Sequence, residues 1–117
     1  MMASHMFEVQ TATNYALIRF SGFIDAGAVQ QIKPLLQQQL PASTGNIVVD
    51  LEKVEFLDSH GVGLFVSLLK RAHQNNGRLV LAVATGQPAA VLQMVGFNGE
   101  LVSYCASLEE AKRSFAS

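Results

Sequence analysis

The sequence predicts a single α/β domain with four helices on a largely parallel, mixed sheet of four or five strands. Two short apolar runs, over 47–51 and 79–84, are typical of strands buried on both faces. Amphipathic stretches separate the predicted strands, so the connections are helical crossovers and the strands they join are parallel. The chain has 117 residues, of which 50% are hydrophobic. It is therefore long enough for one domain with its own core.

The first elements along the chain are a pair of strands and a helix. Aromatic and branched residues over 7–11 and 15–20 predict two strands joined in a hairpin. Apolar residues at spacings of three and four then predict a helix over 26–40, with Asp25 at its N-cap. Because an interior proline removes a backbone donor and disturbs the preceding turn, we expect a bend at Pro34.

A second helix is predicted over 59–74, ended by the Asn75-Asn76-Gly77 signal. On a helical wheel its apolar residues cover about half of the circumference. The centre of this arc falls at Leu69, and Lys70 lies on the polar side. The apolar residues are Val62, Leu64, Phe65, Val66, Leu68, Leu69 and Ala72.

The remaining elements are two helices and one strand. Pro88 suits the first turn of a third helix that ends near Val95. A last strand is predicted over 101–105. Ser107 followed three residues later by Glu110 is a capping box, which opens a final helix.

Composition excludes several classes of function. A net charge of −1 argues against nucleic-acid binding through bulk electrostatics. No apolar run approaches the roughly 20 residues that span a bilayer, and no leader is recognised, so we expect a cytoplasmic protein without membrane insertion.

The single cysteine, Cys105, excludes an internal disulfide and a cysteine-built zinc site. His60 and His73 lack a third ligand at suitable spacing, so we expect neither metal nor cofactor. Residues 1–5 resemble a cloning scar, which leaves 6–117 as the domain.

The segment over 54–63 joins a predicted buried strand to the second helix. Ser59 lies at or beside the helix start, where free backbone amides and the helix dipole favour an anion. Gly61 and Gly63 in the first turn would let a partner approach the backbone closely. Equally, Ser59 could serve as a helix cap and the glycines could ease packing. The residues alone leave both interpretations open.

Enzymatic interpretations of this segment fail on spacing. A phosphate-binding loop needs a lysine after its last glycine, and none is present here. A hydrolase elbow needs G-x-S-x-G, whereas Leu57 and Gly61 flank this serine at other distances. Asp58-Ser59-His60 cannot act as a triad, because adjacent residues do not converge as the relay requires. We therefore assign no catalytic residue and expect no enzyme.

Several stretches together resemble the STAS domain family of sulfate transporters and anti-sigma factor antagonists. The resemblance rests on Val48-Val49-Asp50-Leu51, on Phe56-Leu57-Asp58-Ser59 followed by Gly61 and Gly63, and on Phe20 to Ala26. It implies that the serine matching Ser59 is phosphorylated by a partner kinase that also acts as the anti-sigma factor. The Asp matching Asp25 would lie in a neighbouring loop, and the phosphorylated form would release the partner.

Two residues depart from the family pattern. His60 stands where a small residue is usual, and Phe23 stands where Glu is frequent. A bulky imidazole beside the acceptor could alter or block phosphorylation. The alternative is an unphosphorylated STAS scaffold, as in a subunit of an ABC-type phospholipid-trafficking complex or another signalling assembly.

The resemblance leads to a protein-interaction switch whose partner is an anti-sigma factor or serine kinase. Phosphorylation would add roughly −1.5 to −2 charges at Ser59, close to the carboxylates of Asp25 and Asp58. The charge should change partner affinity far more than it changes the fold. The expected docking surface comprises Asp25, Asp58, Ser59, His60, Gly61, Leu64 and Leu68.

Overall fold

The structure is a computed structural model that describes residues 6–115. The suggested cloning scar at residues 1–5 lies outside the described residues. The strands are β1 (Phe7–Thr11), β2 (Ala16–Ile24), β3 (Ile47–Leu57), β4 (Leu79–Ala82) and β5 (Val102–Cys105). The helices are α1 (Ala26–Gln39), α2 (Ser59–Gln74), α3 (Gly86–Met94) and α4 (Leu108–Arg113).

The five described strands form one mixed sheet in the order β1-β2-β3-β4-β5. β1 runs antiparallel to β2, and the other three pairs are parallel. Each parallel pair is joined by a helix, as the alternation of strand and helix patterns requires. The predicted fold class is therefore confirmed, with the hairpin added at one edge of a parallel sheet.

β3 is longer than predicted and contains two register shifts against β2. Arg19 pairs with Asp50 while Ser21 pairs with Lys53, so β3 holds one extra residue in this interval. A second shift follows between Gly22 and Phe23. Gly22 has a φ of 77°, a conformation that residues other than glycine rarely adopt. Bulges of this kind bend a strand and redirect its side chains.

The two faces of the sheet carry different amounts of helix. α1 and α2 pack against each other and against β2 and β3. The larger core lies beneath them, where the Phe20 and Phe65 rings are 5.6 Å apart. α4 packs on β3, β4 and β5, and a smaller cluster that includes Ala111 and Phe115 lies on its side of the sheet. α1 is continuous across Pro34, which is exposed, and the bend there stays a prediction.

The buried face of α2 is rotated from the expected one. Phe65 is fully buried on this face, together with Leu64, Leu68 and Ala72. Leu69 is only partly buried and packs at the margin of the core. The prediction that Leu69 is the centre of the arc was therefore wrong. At about 100° per residue the arc runs from Leu64 to Val66 with Phe65 at its middle, so Leu69 lies off the centre of the arc, and packing then buries the Leu64 side.

Candidate functional site

Two sequence-distant loops meet at the carboxyl ends of β2 and β3. Asp25 follows β2 directly and Asp58 follows β3 directly. The Asp58 amide donates to the Ile24 carbonyl oxygen at 3.3 Å, which joins the two loops. Loops at the carboxyl ends of parallel strands are the usual location of functional residues in such sheets. We call the surface formed by Asp25, Asp58, Ser59 and His60 the carboxyl edge.

Aspartates cap both helices that begin at the carboxyl edge. Asp25 accepts from the Ala28 amide at 3.0 Å, which confirms its predicted place at the N-cap of α1. Asp58 accepts from the His60 amide at 2.8 Å and from the Gly61 amide at 3.1 Å through one carboxylate oxygen. Asp58 is therefore the cap of α2, and the interpretation of Ser59 as the cap was wrong.

Ser59 is the first residue of α2 and is exposed. Its hydroxyl makes no hydrogen bond with any of residues 6–115, so this oxygen is accessible to solvent without an internal partner. Asp58 satisfies the backbone amides that a serine cap would otherwise bind. Ser59 is consequently not needed for helix capping.

The carboxyl edge carries two acidic side chains, and the imidazole of His60 lies beside one of them. His60 Nδ1 lies 3.6 Å from Asp58 Oδ2, and the His60 side chain is 61% exposed. Partial burial by itself raises the pKa of the Asp58 carboxyl. The amides of Gly61 and His60, together with the His60 charge, outweigh this effect and hold its pKa below the ordinary value of 3.8. Asp58 is therefore a carboxylate at neutral pH.

Three residues expected on the docking surface are buried instead. Leu64 and Leu68 are 3% and 4% exposed and belong to the core between α2 and the sheet. Gly61 is also buried, and a methyl group there would lie 2.7 Å from the Ile24 carbonyl oxygen. Their assignment to an exposed surface was wrong, because the buried face of α2 begins in its first turn. Gly61 admits the neighbouring strand and not a partner protein.

The structure adds an aromatic pair that was not included among the predicted site residues. Phe23 pairs with Phe56 across β2 and β3, and their rings stack with centroids 5.5 Å apart. Phe23 is 55% exposed, although large aromatic side chains are usually buried. It lies two residues before Asp25. In the sequence, the one indication of this position was that Phe23 stands where the family frequently has Glu.

Gln87, in the first turn of α3, is a second residue that sequence reasoning missed. Its side-chain amide exchanges two hydrogen bonds with the backbone of Leu57, immediately before Asp58. No local pattern could reveal this contact, because a glutamine near a helix start is ordinary and the partner is 30 residues away.

Among the described residues, other chemistry has little support. His73 is exposed near the end of α2, far along the helix from Ser59. No group of three or more His, Cys, Asp or Glu side chains in residues 6–115 is arranged to hold a metal ion. Over the same residues, no helix is long and apolar enough to cross a membrane.

Comparison with known proteins decides the family. The family model described as the STAS domain matches residues 6–111, which is nearly the whole chain. The chain belongs to the STAS domain family. The resemblance to the STAS domain family, predicted from the motifs, is thereby confirmed.

The relatives of this STAS domain include anti-sigma factor antagonists of several bacteria. The anti-sigma-B factor antagonist of Staphylococcus aureus (strain NCTC 8325 / PS 47) is 28% identical over 89 residues, covering 76% of this chain and 82% of that protein. The solved structure of the Bacillus cell fate determinant SpoIIAA in its phosphorylated form is 27% identical. It has a TM-score of 0.71 and covers 94% of this chain and 99% of that one.

A further solved structure matches the fold closely. It is an anti-sigma-factor antagonist (STAS) domain protein from Planctomyces limnophilus, with a TM-score of 0.80 and 23% identity. The match covers 94% of this chain and 97% of that chain. The sheet order and the placement of the four described helices are thus those of a known STAS fold.

Proposed function

We propose that this STAS domain is a non-enzymatic, cytoplasmic protein-interaction switch controlled by phosphorylation of Ser59. Its partner would be an anti-sigma factor with serine kinase activity. The observation that carries the proposal is the Ser59 hydroxyl, which is exposed at the start of α2 and makes no internal hydrogen bond in the described part of the chain. A kinase could use this oxygen without disturbing the cap, since Asp58 supplies the cap.

The charges around Ser59 explain why a phosphate would act on binding and not on folding. The His60 and Gly61 amides in the first turn of α2 are already bound by Asp58, so they are not available to a phosphate on Ser59. A phosphate would add roughly −1.5 to −2 charges beside a carboxylate that is ionised at neutral pH. In water this repulsion is screened. In an interface the same charge would be desolvated, and within residues 6–115 His60 is the only basic side chain in contact with the Asp58 carboxylate.

The docking surface in this proposal is the carboxyl edge extended by Phe23. Exposed aromatic side chains contribute strongly when a partner buries them, and the stacked Phe56 holds the Phe23 ring in place. A partner that covers Phe23 and Asp25 would also cover Ser59 at the end of the adjacent strand. Because SpoIIAA is known in a phosphorylated form, a STAS relative can carry this modification.

The proposal is tested by titrating variants of Ser59 against a serine kinase of the anti-sigma factor type that co-purifies with the wild-type protein. Ser59→Ala removes the acceptor and keeps the neutral surface, so it should bind like the wild type and resist release by ATP. Ser59→Asp should bind at least ~10-fold more weakly, which corresponds to about 1.4 kcal/mol. Ser43→Asp is the matched control, because Ser43 is also exposed but lies in the loop after α1. It should bind like the wild type.

Thermal melts of the same variants separate binding from folding. Ser59 does not cap α2, so Ser59→Ala should change the free energy of unfolding by less than about 0.5 kcal/mol. If folded Ser59→Asp binds as tightly as the wild type, and the kinase adds no phosphate to Ser59, the proposal is wrong.

The exposed imidazole of His60 favours one alternative. His60 follows Ser59 directly, and its side chain would meet any kinase that approaches the hydroxyl. The alternative function is an unphosphorylated scaffold, such as a STAS subunit of an ABC-type phospholipid-trafficking complex or another signalling assembly. His60→Ser distinguishes the two functions. Phosphorylation of this variant, but not of the wild type, would favour the scaffold.

A further inference from the structure

The end of β3 lacks a strand partner on one side. β2 accompanies β3 to its last residue, where Ile24 pairs with Leu57. On the other side, the pairing with β4 ends at Asp50 and Ala82. The last residues of β3 therefore extend beyond β4. They lead directly into Asp58 and Ser59.

One side chain takes the place of the missing strand. The Leu57 amide donates to Gln87 Oε1 at 2.8 Å, and Gln87 Nε2 donates to the Leu57 carbonyl oxygen at 2.9 Å. A primary amide offers one acceptor and two donors, so it can satisfy both backbone groups of a strand residue at once. Without Gln87, both groups would need water at a partly buried position.

The backbone before α3 is shaped to deliver this side chain. Val83 and Gly86 both have a φ of 59°, so the chain leaves the sheet after Ala82 and turns into α3. A positive φ is unusual for a β-branched residue such as Val83 and is kept only where the surrounding structure requires it. The N-cap residue of α3, Thr85, makes no side-chain capping bond, so the helix start is not held by its own cap.

The pair of hydrogen bonds to Leu57 reaches the site through a short chain of contacts. The Leu57 side chain is fully buried and lies against Gly61 in the first turn of α2. The next residue, Asp58, caps α2 and is joined to β2 by a single long hydrogen bond of 3.3 Å. Gln87 therefore holds the segment from the side that β2 does not hold.

We infer that Gln87 is a positioning residue for the Asp58–Ser59 turn. Its amide holds the end of β3 in place of a strand, and so fixes the carboxylate that caps α2 and the hydroxyl that follows it. The importance of Ser59 as a phosphate acceptor rests on the proposed function. The positioning by Gln87 does not, and it can be measured without any partner.

Amide hydrogen exchange, followed by NMR, tests this role on the full chain. In Gln87→Ala, protection of the Leu57, His60 and Gly61 amides should fall about 10-fold, as expected for the loss of a pair of hydrogen bonds. Protection at Leu81, in the middle of the sheet, should change much less. Gln93→Ala is the matched control, since Gln93 is an exposed glutamine of the same helix, and it should leave the three amides unchanged.

Gln87→Glu provides a second, pH-dependent measurement. A general loss of packing at this position would not produce the same dependence on pH. At neutral pH the carboxylate can accept from the Leu57 amide but cannot donate to the Leu57 carbonyl, so protection should fall. When protonated, the carboxyl group offers one donor and one acceptor, and protection should return. Glu55, Asp58 and His60 are further ionisable side chains near this strand end, and they are common to both proteins. The wild type measured at each pH therefore accounts for them.

Three results would overturn the inference. Protection could fall equally at every amide of Gln87→Ala, it could be lost at Leu57 but kept at His60 and Gly61, or it could fail to return in acidified Gln87→Glu. The absence of phosphate on wild-type Ser59 would instead refute the proposed function and would leave the exchange result standing.

Discussion

Two glycines of α2 should respond in opposite directions to the same substitution. Gly61 is buried against β2, and an added methyl carbon would lie 2.3 Å from Leu57 Cδ1 and 2.7 Å from the Ile24 carbonyl oxygen. Leu57 can give way only partly, because it is fully buried, and the Ile24 oxygen is backbone that accepts from the Asp58 amide. Gly63 faces open space, with no atom within 4 Å of an added methyl carbon.

The expected magnitudes follow from helix propensity and overpacking. Alanine is favoured over glycine inside a helix by about 1 kcal/mol, so Gly63→Ala should stabilise the protein by about 0.5–1 kcal/mol. Gly61→Ala gains the same propensity but forces the helix away from the strand, which costs about 2–3 kcal/mol. Its net effect should be a loss of about 1–2 kcal/mol. The two variants should therefore differ by about 2–3 kcal/mol in the free energy of unfolding.

Urea denaturation followed by circular dichroism measures both variants against the wild type. Each kcal/mol corresponds to roughly 4–8 °C in Tm for a domain near this size, so thermal melts check the same order. Equal stabilisation by both substitutions would refute the reasoning. It would mean that the first turn of α2 is not pressed against β2, and that Gly61 is free to meet a partner after all.

The other predictions concern the core, the cap and catalysis. Phe65→Ala should cost about 3–5 kcal/mol and Leu69→Ala only about 1 kcal/mol in chemical denaturation, and the reverse order would restore Leu69 as the centre of the buried face. The pKa of Asp58 is lower in the folded protein than its ordinary value of 3.8, so the ionised carboxylate stabilises the fold above about pH 3.8. This contribution is lost as the pH falls through the lower, folded-state pKa. Asp58→Asn should therefore lose less stability on acidification than the wild type, and parallel pH profiles would contradict the capping role. A fluorophosphonate probe should not label Ser59. If the probe labels the wild type but not Ser59→Ala, Ser59 is a reactive nucleophile and the expectation of no catalysis is wrong.

For α2, the sequence pattern predicts where the helix begins better than it predicts which side of the helix is buried. The start of the helix, near Ser59, follows from a local change of pattern, from an apolar strand to residues spaced by three and four. The orientation of the helix follows only in part, because Leu64 and Val66 lie at opposite margins of the apolar arc and the pattern does not say which margin is buried. Packing against α1 and the sheet selected Leu64 and Leu68 for burial and left Leu69 at the margin.

The identity of the residue that caps α2 is a second feature that the local pattern does not decide. Asp58 and Ser59 are neighbours, both are good cap residues, and no pattern in the sequence distinguishes them. The structure selects Asp58 because the bond from its amide to the Ile24 carbonyl oxygen keeps it extended at the end of β3. This choice leaves the Ser59 hydroxyl without a role in capping.

The local sequence pattern is sufficient to predict the order of the elements, the parallel character of the sheet, the N-cap at Asp25 and the place of Ser59 at the start of α2. These features depend on residues within a few positions of each other, so local propensity and periodicity encode them. Three features depend on packing between distant segments: the burial of Gly61, the exposed stack of Phe23 on Phe56 and the pairing of Gln87 with Leu57. These contacts join residues about 30 apart or depend on register shifts, and strand register and strand length are set by the packing of the whole domain.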